Sequence, residues 1–296
     1  MLTHEGFIDV DGTLTAAQDA KVSALDRGFL YGDSAFEVMR TYDGRAFHQR
    51  QHLTRLASSC ERLRIPMPVS IAELSERVQR AVDAARLKLH MPDCYVRVTV
   101  TRGVGPLGIK LPVKPQPSVL VYALPLEPPG DAVYEQGIEV GLVHVGRATD
   151  GTSAAGAKTS NYLTSVLALD DVQKRGCHEA IVVGGQGELI EGATSNLFIV
   201  RAGALETPPL SSGILAGITR AAILELAAQL HIPCKEQSIS SADLYGADEA
   251  FITSTIRELL PVVRADGVQV GSGMPGPVYG KLLTAYRQLA RAHTAA

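Results

Sequence analysis

Hydrophobic and polar positions follow two periods along this chain, one of two residues and one of three to four. From Cys94 to Thr101 the alternation is strict. Cys94, Val96, Val98 and Val100 fall on one side, and Tyr95, Arg97, Thr99 and Thr101 on the other, as in a strand with one buried face. Phe7 to Val10 with Asp11-Gly12 reads as the first arm of a hairpin. His48 to Arg64 has helical period, with Leu53, Leu56, Cys60 and Leu63 on one stripe and His52, Arg55, Ser59 and Arg62 on another face. A second helix is expected over Ile71 to Leu87, through Leu74, Val78, Val82 and Ala85, and Ser118 to Leu126 is a continuous apolar strand. In the second half, Ile138 to Val145 reads as a strand. Leu163, Val166, Leu167 and Val172 recur at helical spacing in a segment opened by Lys158 and stopped at Lys174-Arg175-Gly176. Ala180 to Val183 and Glu188 to Val200 read as two strands around the turn Gly184-Gly-Gln-Gly187, and an apolar helix runs to Leu230.

Punctuation divides this α/β pattern. At 296 residues the chain is long for one core, and Glu127-Pro-Pro-Gly-Asp131 is the best linker in it. The expected division is a domain over 1–126, a linker over 127–136 and a second domain over 137–296. A formal charge of −3 gives no electrostatic reason to expect nucleic acid or an anionic membrane as partner. Cys60, Cys94, Cys177 and Cys234 are scattered, with neither a disulfide frame nor zinc-ligand spacing. Met1 to Gly6 lacks a signal-peptide pattern, and no apolar run approaches the ~20 residues of a membrane span. A soluble cytoplasmic protein is the expectation. Gly271-Ser-Gly-Met-Pro-Gly276 satisfies G-x-G-x-x-G, but Pro275 and Pro277 interrupt it and too little chain follows for a βαβ unit.

Candidate chemistry gathers around Gly156-Ala-Lys158-Thr-Ser-Asn161-Tyr162 and Glu188-Leu-Ile-Glu191-Gly-Ala-Thr-Ser-Asn196. A lysine among small residues, partly desolvated, becomes a nucleophile able to form a Schiff base with an aldehyde. Ser211 to Arg220 is a glycine-rich turn feeding a helix start, where free N–H groups and the helix dipole suit a phosphate. Ser254 and Thr255 add hydroxyl donors at a strand end, and a guanidinium such as that of Arg55 fits an oxyanion. Each feature has a plainer reading: a solvated arginine, a capped helix, an edge strand facing water.

Together, Lys158, Glu191 and the run Glu191-Gly-Ala-Thr-Ser-Asn-Leu-Phe198 resemble the class IV (fold type IV) pyridoxal phosphate aminotransferases. Asp26-Arg-Gly-Phe-Leu-Tyr31-Gly-Asp-Ser-Ala-Phe36-Glu, His52-Leu-Thr-Arg55-Leu and Gly217-Ile-Thr-Arg220 extend the resemblance over nearly the whole chain. It implies a small N-terminal α/β domain, a larger C-terminal domain with a mixed barrel-like sheet, and a homodimer with shared active sites at the domain interface. It also implies pyridoxal 5′-phosphate on Lys158, with Glu191 at the pyridine nitrogen and Tyr162 at the ring 3-oxygen. Arg55, Ile218, Thr219, Ser254 and Thr255 would hold the phosphate. Tyr31, Phe36, Arg40, Tyr95, Arg97, Leu107 and Ile256 would line the substrate pocket, Tyr95 and Arg97 at the α-carboxylate. No metal is implied.

The substrates implied are amino acids and 2-oxo acids, with branched-chain L-amino acids and 2-oxoglutarate favoured. D-amino acid aminotransferases resemble this chain but carry arginine and histidine where it has Leu107 and Ile109. Val38 stands where branched-chain enzymes have glycine, the Lys158-to-Tyr162 spacing is one residue shorter than in some of them, and Thr253-Ser-Thr-Ile256 is nearer the D-amino acid pattern. A D-amino acid or (R)-amine transaminase is therefore the alternative, with a lyase of the aminodeoxychorismate type behind it. A non-catalytic pyridoxal phosphate binder would need neither Lys158 nor Glu191.

Overall fold

The computed structural model describes residues 5–144 and 154–295. The chain divides into two compact units, one of residues 1–127, 151–161 and 290–296, the other of 128–150 and 162–289.

The first unit contains β1 (Phe7–Val10), β2 (Thr13–Ala16), α1 (Arg27–Tyr31), β3 (Ser34–Tyr42), β4 (Arg45–Ala46), α2 (Gln49–Arg62), α3 (Ile71–Leu89), β5 (Cys94–Thr101) and β6 (Ser118–Pro125). Asp11 and Gly12 both take positive φ, 51° and 96°, the geometry that lets a two-residue turn follow the twist of the β1–β2 hairpin. The six strands form an antiparallel sheet in the order β2-β1-β6-β5-β3-β4. Leu53, Leu56 and Cys60 of α2 and Leu74, Val78, Ala81 and Val82 of α3 pack with Met39, Val96, Val98 and Val121 in one core. Burying one such leucine is worth about 2 kcal/mol. The alternation read in Cys94–Thr101 holds, and it turns Tyr95, Arg97 and Thr99 to the face opposite that core. The stripe on α2 is wider than its leucines indicate, because His52 and Ser59 are buried as well.

The second unit opens with α4 (Asp131–Gln136) and β7 (Ile138–His144). Part of the expected linker is thus helical, and Tyr134 enters the unit's core. Val145, the expected strand end, lies outside the described residues. There follow α5 (Leu163–Gln173), β8 (Glu179–Val183), β9 (Glu188–Gly192), β10 (Asn196–Arg201), β11 (Ala204–Thr207), α6 (Ile218–Gln229), β12 (Cys234–Glu236), β13 (Ile239–Ser240), α7 (Ser241–Tyr245), β14 (Glu249–Ser254), β15 (Glu258–Ala265), β16 (Val268–Gln269) and α8 (Pro277–Ala295), whose last turns belong to the first unit. The sheet has ten strands in the order β12-β11-β10-β14-β15-β7-β8-β9-β13, with β16 on β15. It is mixed: β7 runs parallel to β15 and β8, and β11 to β12.

Three expectations change here. The strand read over Glu188 to Val200 is two strands, because residues 193–195 turn the chain between β9 and β10. Lys158 does not open a helix, since Ala35 and Thr159 form a bridge that lays the segment against β3 and places it with the first unit. Of the stripe expected on α5, Val172 packs inward, joined by Ala168, while Leu163, Val166 and Leu167 are exposed.

Candidate active site

Chemistry in the first unit starts on β3. Its odd positions face α2, and they include one charged residue, Glu37, with no exposure to solvent. The carboxylate accepts from Arg55 Nε at 2.6 Å, Arg55 Nη2 at 2.7 Å and His52 Nδ1 at 2.8 Å. Burial pushes the Glu37 pKa up, but the hydrogen bonds and charges of Arg55 and His52 outweigh it and hold the group at about 2. Burial pulls the His52 pKa down against the raising effect of Glu37, with Arg55 and Lys158 adding to the fall, so a neutral imidazole donates through Nδ1. Arg55 is therefore a fixed guanidinium with two of its donors held by Glu37. The His52-Leu-Thr-Arg55-Leu resemblance singled out Arg55 and gave neither His52 nor Glu37 the role of its anchor, because the partner of Glu37 comes from a different element.

Lys158 is fixed through its backbone. Its N–H donates to Ser59 Oγ, one turn beyond Arg55 on α2, at 3.2 Å. Its carbonyl accepts from Phe36 N–H at 3.0 Å, and the next residues continue the attachment through Ser160 N–H to Ser34 O at 3.1 Å. The Nζ atom stands 4.7 Å from the centre of the Phe36 ring. On the same face of the sheet, β3 register places Phe36 opposite Thr99, Val38 opposite Arg97 and Arg40 opposite Tyr95. The Arg97 guanidinium lies over the Phe36 ring at 3.7 Å and donates through Nε to Thr99 Oγ1 at 3.0 Å. Five of the expected residues, Lys158, Phe36, Arg40, Tyr95 and Arg97, thus share one surface of β3 and β5. Tyr31 and Leu107 belong elsewhere in the unit. The Tyr31 hydroxyl accepts from Gly108 N–H at 2.8 Å, and Leu107 and Ile109 project from that loop with 74% and 88% exposure.

The second unit carries the other candidates. Glu191 is the last residue but one of β9, where its Oε2 accepts from Asn196 Nδ2 at 3.1 Å and Leu215 N–H at 2.9 Å. Gly217 precedes α6 and packs on that asparagine, since a Cβ there would lie 2.0 Å from Asn196 Oδ1. No side chain caps α6, so the first-turn N–H groups of Ile218 and Thr219 point out of the helix start uncovered by its own N-cap. Ser254 closes β14, and Thr255 and Ile256 form the turn into β15, with Arg257 Nε donating to Ser254 Oγ at 3.1 Å. Tyr162 is the half-buried residue before α5. At Gly271 to Gly276 the following helix start is already occupied, because Glu249 accepts from Val278 and Tyr279 N–H at 2.9 and 2.8 Å.

Residues 34–265 match the model of the amino-transferase class IV family. The chain belongs to that family. It is 36% identical over 282 residues to a putative branched-chain-amino-acid aminotransferase of Methanocaldococcus jannaschii, covering 95% of this chain and 96% of the relative. A D-alanine aminotransferase of Staphylococcus haemolyticus is 32% identical over 274 residues, covering 92% and 94%. The crystal structure of Escherichia coli branched-chain amino acid aminotransferase superposes with a TM-score of 0.91 at 35% identity, over 96% of this chain and 94% of that one. The fold is type IV, its mixed second sheet curled into a half-barrel.

Class IV aminotransferases use pyridoxal phosphate, and the residues here fit that group. An uncapped α6 start beside the Ser254 hydroxyl strand end suits an anion. A carboxylate held by Asn196 and the Leu215 N–H suits a protonated ring nitrogen. Among the described residues, no group of three or more histidine, cysteine or acidic side chains is placed to hold a metal, and no helix is long and apolar enough to cross a membrane.

Proposed function

We propose that this class IV aminotransferase moves the amino group of a branched-chain L-amino acid to 2-oxoglutarate in two half-reactions. The observation that carries the substrate class is the β3–β5 surface, where Arg97, Arg40 and Tyr95 offer carboxylate donors beside Phe36 and Val38. The branched-chain relatives at 35–36% identity support it. Pyridoxal phosphate, when bound, supplies the electron sink that makes the substrate Cα–H acidic. Lys158 would hold the cofactor through Nζ, and that amine, once displaced by the amino group of the substrate, would be the general base for the Cα proton. Glu191 keeps the ring nitrogen protonated, and its two fixed donors prevent the carboxylate from turning away. Tyr162 donates to the ring oxygen. Ile218 and Thr219 N–H, the Ser254 and Thr255 hydroxyls and Arg55 bind the phosphate, with Glu37 setting the plane of the Arg55 fork. Tyr95 and Arg97 orient the substrate α-carboxylate, and Phe36, Arg40 and Ile256 bound its side chain.

The enzyme works as a cytoplasmic homodimer in which Tyr31 and Leu107 serve the partner's site. Exposed apolar residues on α1 (Phe29), on the loop between β5 and β6 (Leu107, Ile109) and on α5 (Leu163, Val166, Leu167) support association. The free cysteines, three of them buried, suit a reducing compartment. The test is a half-reaction followed by absorbance on the loaded enzyme, with L-leucine, D-alanine, D-glutamate and (R)-1-phenylethylamine added separately. Bleaching of the cofactor band by L-leucine alone establishes the reading. Bleaching by the D-amino acids or the amine, and not by L-leucine, replaces it with the D-amino acid or (R)-amine alternative, which the Thr253-Ser-Thr-Ile256 turn and the D-alanine relative favour.

A further inference from the structure

The hairpin turn between β14 and β15 is tied to the turn between β9 and β10 by one side chain that no sequence motif singled out. Arg257 reaches across with Nη2 to Glu179 Oε2 at 2.7 Å and to Thr194 Oγ1 at 2.6 Å, while its Nε points back to Ser254 Oγ at 3.1 Å. Glu179 is fully buried, and its Oε2 also accepts from the Thr194 hydroxyl at 2.8 Å and the Ser195 hydroxyl at 3.3 Å. The guanidinium is thus clamped at its far end by an immobile carboxylate and presents its near end to a serine.

Chemistry then decides what the serine can do. A guanidinium N–H only donates, so Ser254 Oγ is an acceptor in that contact and its own proton is directed to another acceptor. A phosphate oxygen is acceptor-only, and a serine polarised in this sense is the donor such an oxygen requires. The same clamp fixes Thr194 and Ser195, the residues just before Asn196, which holds Glu191.

We propose that Arg257 is a positioning residue for the cofactor phosphate, anchored by Glu179 and acting through Ser254 by fixing its hydroxyl as a donor. The proposal rests on the reading above in which Ser254 binds that phosphate.

The test measures the dissociation constants of pyridoxal phosphate and of pyridoxal from the full-length apoenzyme, with the apoenzyme melting temperature alongside. Arg257→Lys is the informative variant. One ammonium can keep the charge pair with Glu179 and the contact to Thr194, but it lacks the second, oppositely placed N–H that reaches Ser254. Arg257→Lys is expected to weaken pyridoxal phosphate about tenfold, the size of one ordinary hydrogen bond, with an unchanged melting temperature and unchanged affinity for pyridoxal. Ser254→Ala should show the same pattern, and the double variant should be no weaker than Ser254→Ala alone. Wild-type affinity in Arg257→Lys, an equal loss for pyridoxal, or additive losses in the double variant would each overturn the proposal and leave Arg257 as a structural tie. Failure of the wild-type chain to bind pyridoxal phosphate at all would instead sink the functional reading, and this inference with it.

Discussion

Replacing Glu37 with glutamine keeps the side-chain shape and removes the charge that Arg55 and His52 are built around. The fall of the Glu37 pKa from 4.5 to about 2 means that the fold prefers the charged carboxylate by about 3 kcal/mol. Because the folded-state value is depressed, that stabilisation is complete above the unfolded value of about 4.5 and is lost as pH falls toward 2. Glu37→Gln should therefore be less stable than wild type by about 3 kcal/mol at pH 7, and the gap should shrink by roughly half at pH 3. Chemical denaturation of both proteins at the two pH values reads it directly. The variant also takes the Glu37 charge away from the Arg55 guanidinium, which is 14% exposed. A gap that stays constant between pH 7 and pH 3 would refute the argument, since it would locate the cost in packing and not in charge.

Lys158→Ala should abolish transamination and the visible band of the bound cofactor while leaving the fold intact by circular dichroism, and retention of full activity would remove the lysine from its role. Arg97→Leu, which takes a guanidinium from the Phe36 ring and from Thr99, should raise the KM for the amino acid by about 10- to 100-fold, the worth of a charge-assisted hydrogen bond. Equilibrium dialysis should find its cofactor affinity unchanged. Gly217→Ala puts a methyl group 2.0 Å from Asn196 Oδ1 and should cost about 1–3 kcal/mol of stability, with weakened pyridoxal phosphate binding because both the Glu191 support and the α6 start must shift. Wild-type melting and affinity in this variant would show that the asparagine gives way freely.

Elements with a regular period were legible in the chain. In Cys94–Thr101 one face meets the helices, so Cys94, Val96, Val98 and Val100 enter the core as their alternation indicates, but Thr99 and Thr101 on the other face are buried as well, which the alternation does not show. Around α5 the signal misled. Of the stripe Leu163, Val166, Leu167 and Val172, only Val172 packs inward, together with Ala168, which the spacing did not include. Apolar spacing reports that a face is covered by something, and it does not say whether the cover is the helix's own unit. Lys158 shows a related blindness. A lysine followed by an apolar helical pattern looks like a helix start, but what holds it is its backbone bonds to Phe36 and Ser59, beside the Thr159 bridge to Ala35, contacts 99 residues and more away in the chain.

The site residues were legible as types through their resemblance, and their supports were not. Glu37, Glu179 and Arg257 are charged residues within or beside apolar strands, positions where a single chain gives no sign of what will neutralise them. Their partners come from remote segments: Arg55 for Glu37, and Arg257, 78 residues on, for Glu179. Buried charge is costly unless it is paired, so each such residue in an apolar run implies a partner without naming it. Glu37 is met by Arg55, itself proposed to bind the cofactor phosphate, and Glu179 by Arg257, which reaches the proposed phosphate ligand Ser254, whereas Glu249 in β14 is met by the Val278 and Tyr279 N–H groups at the start of α8 and needs no cation.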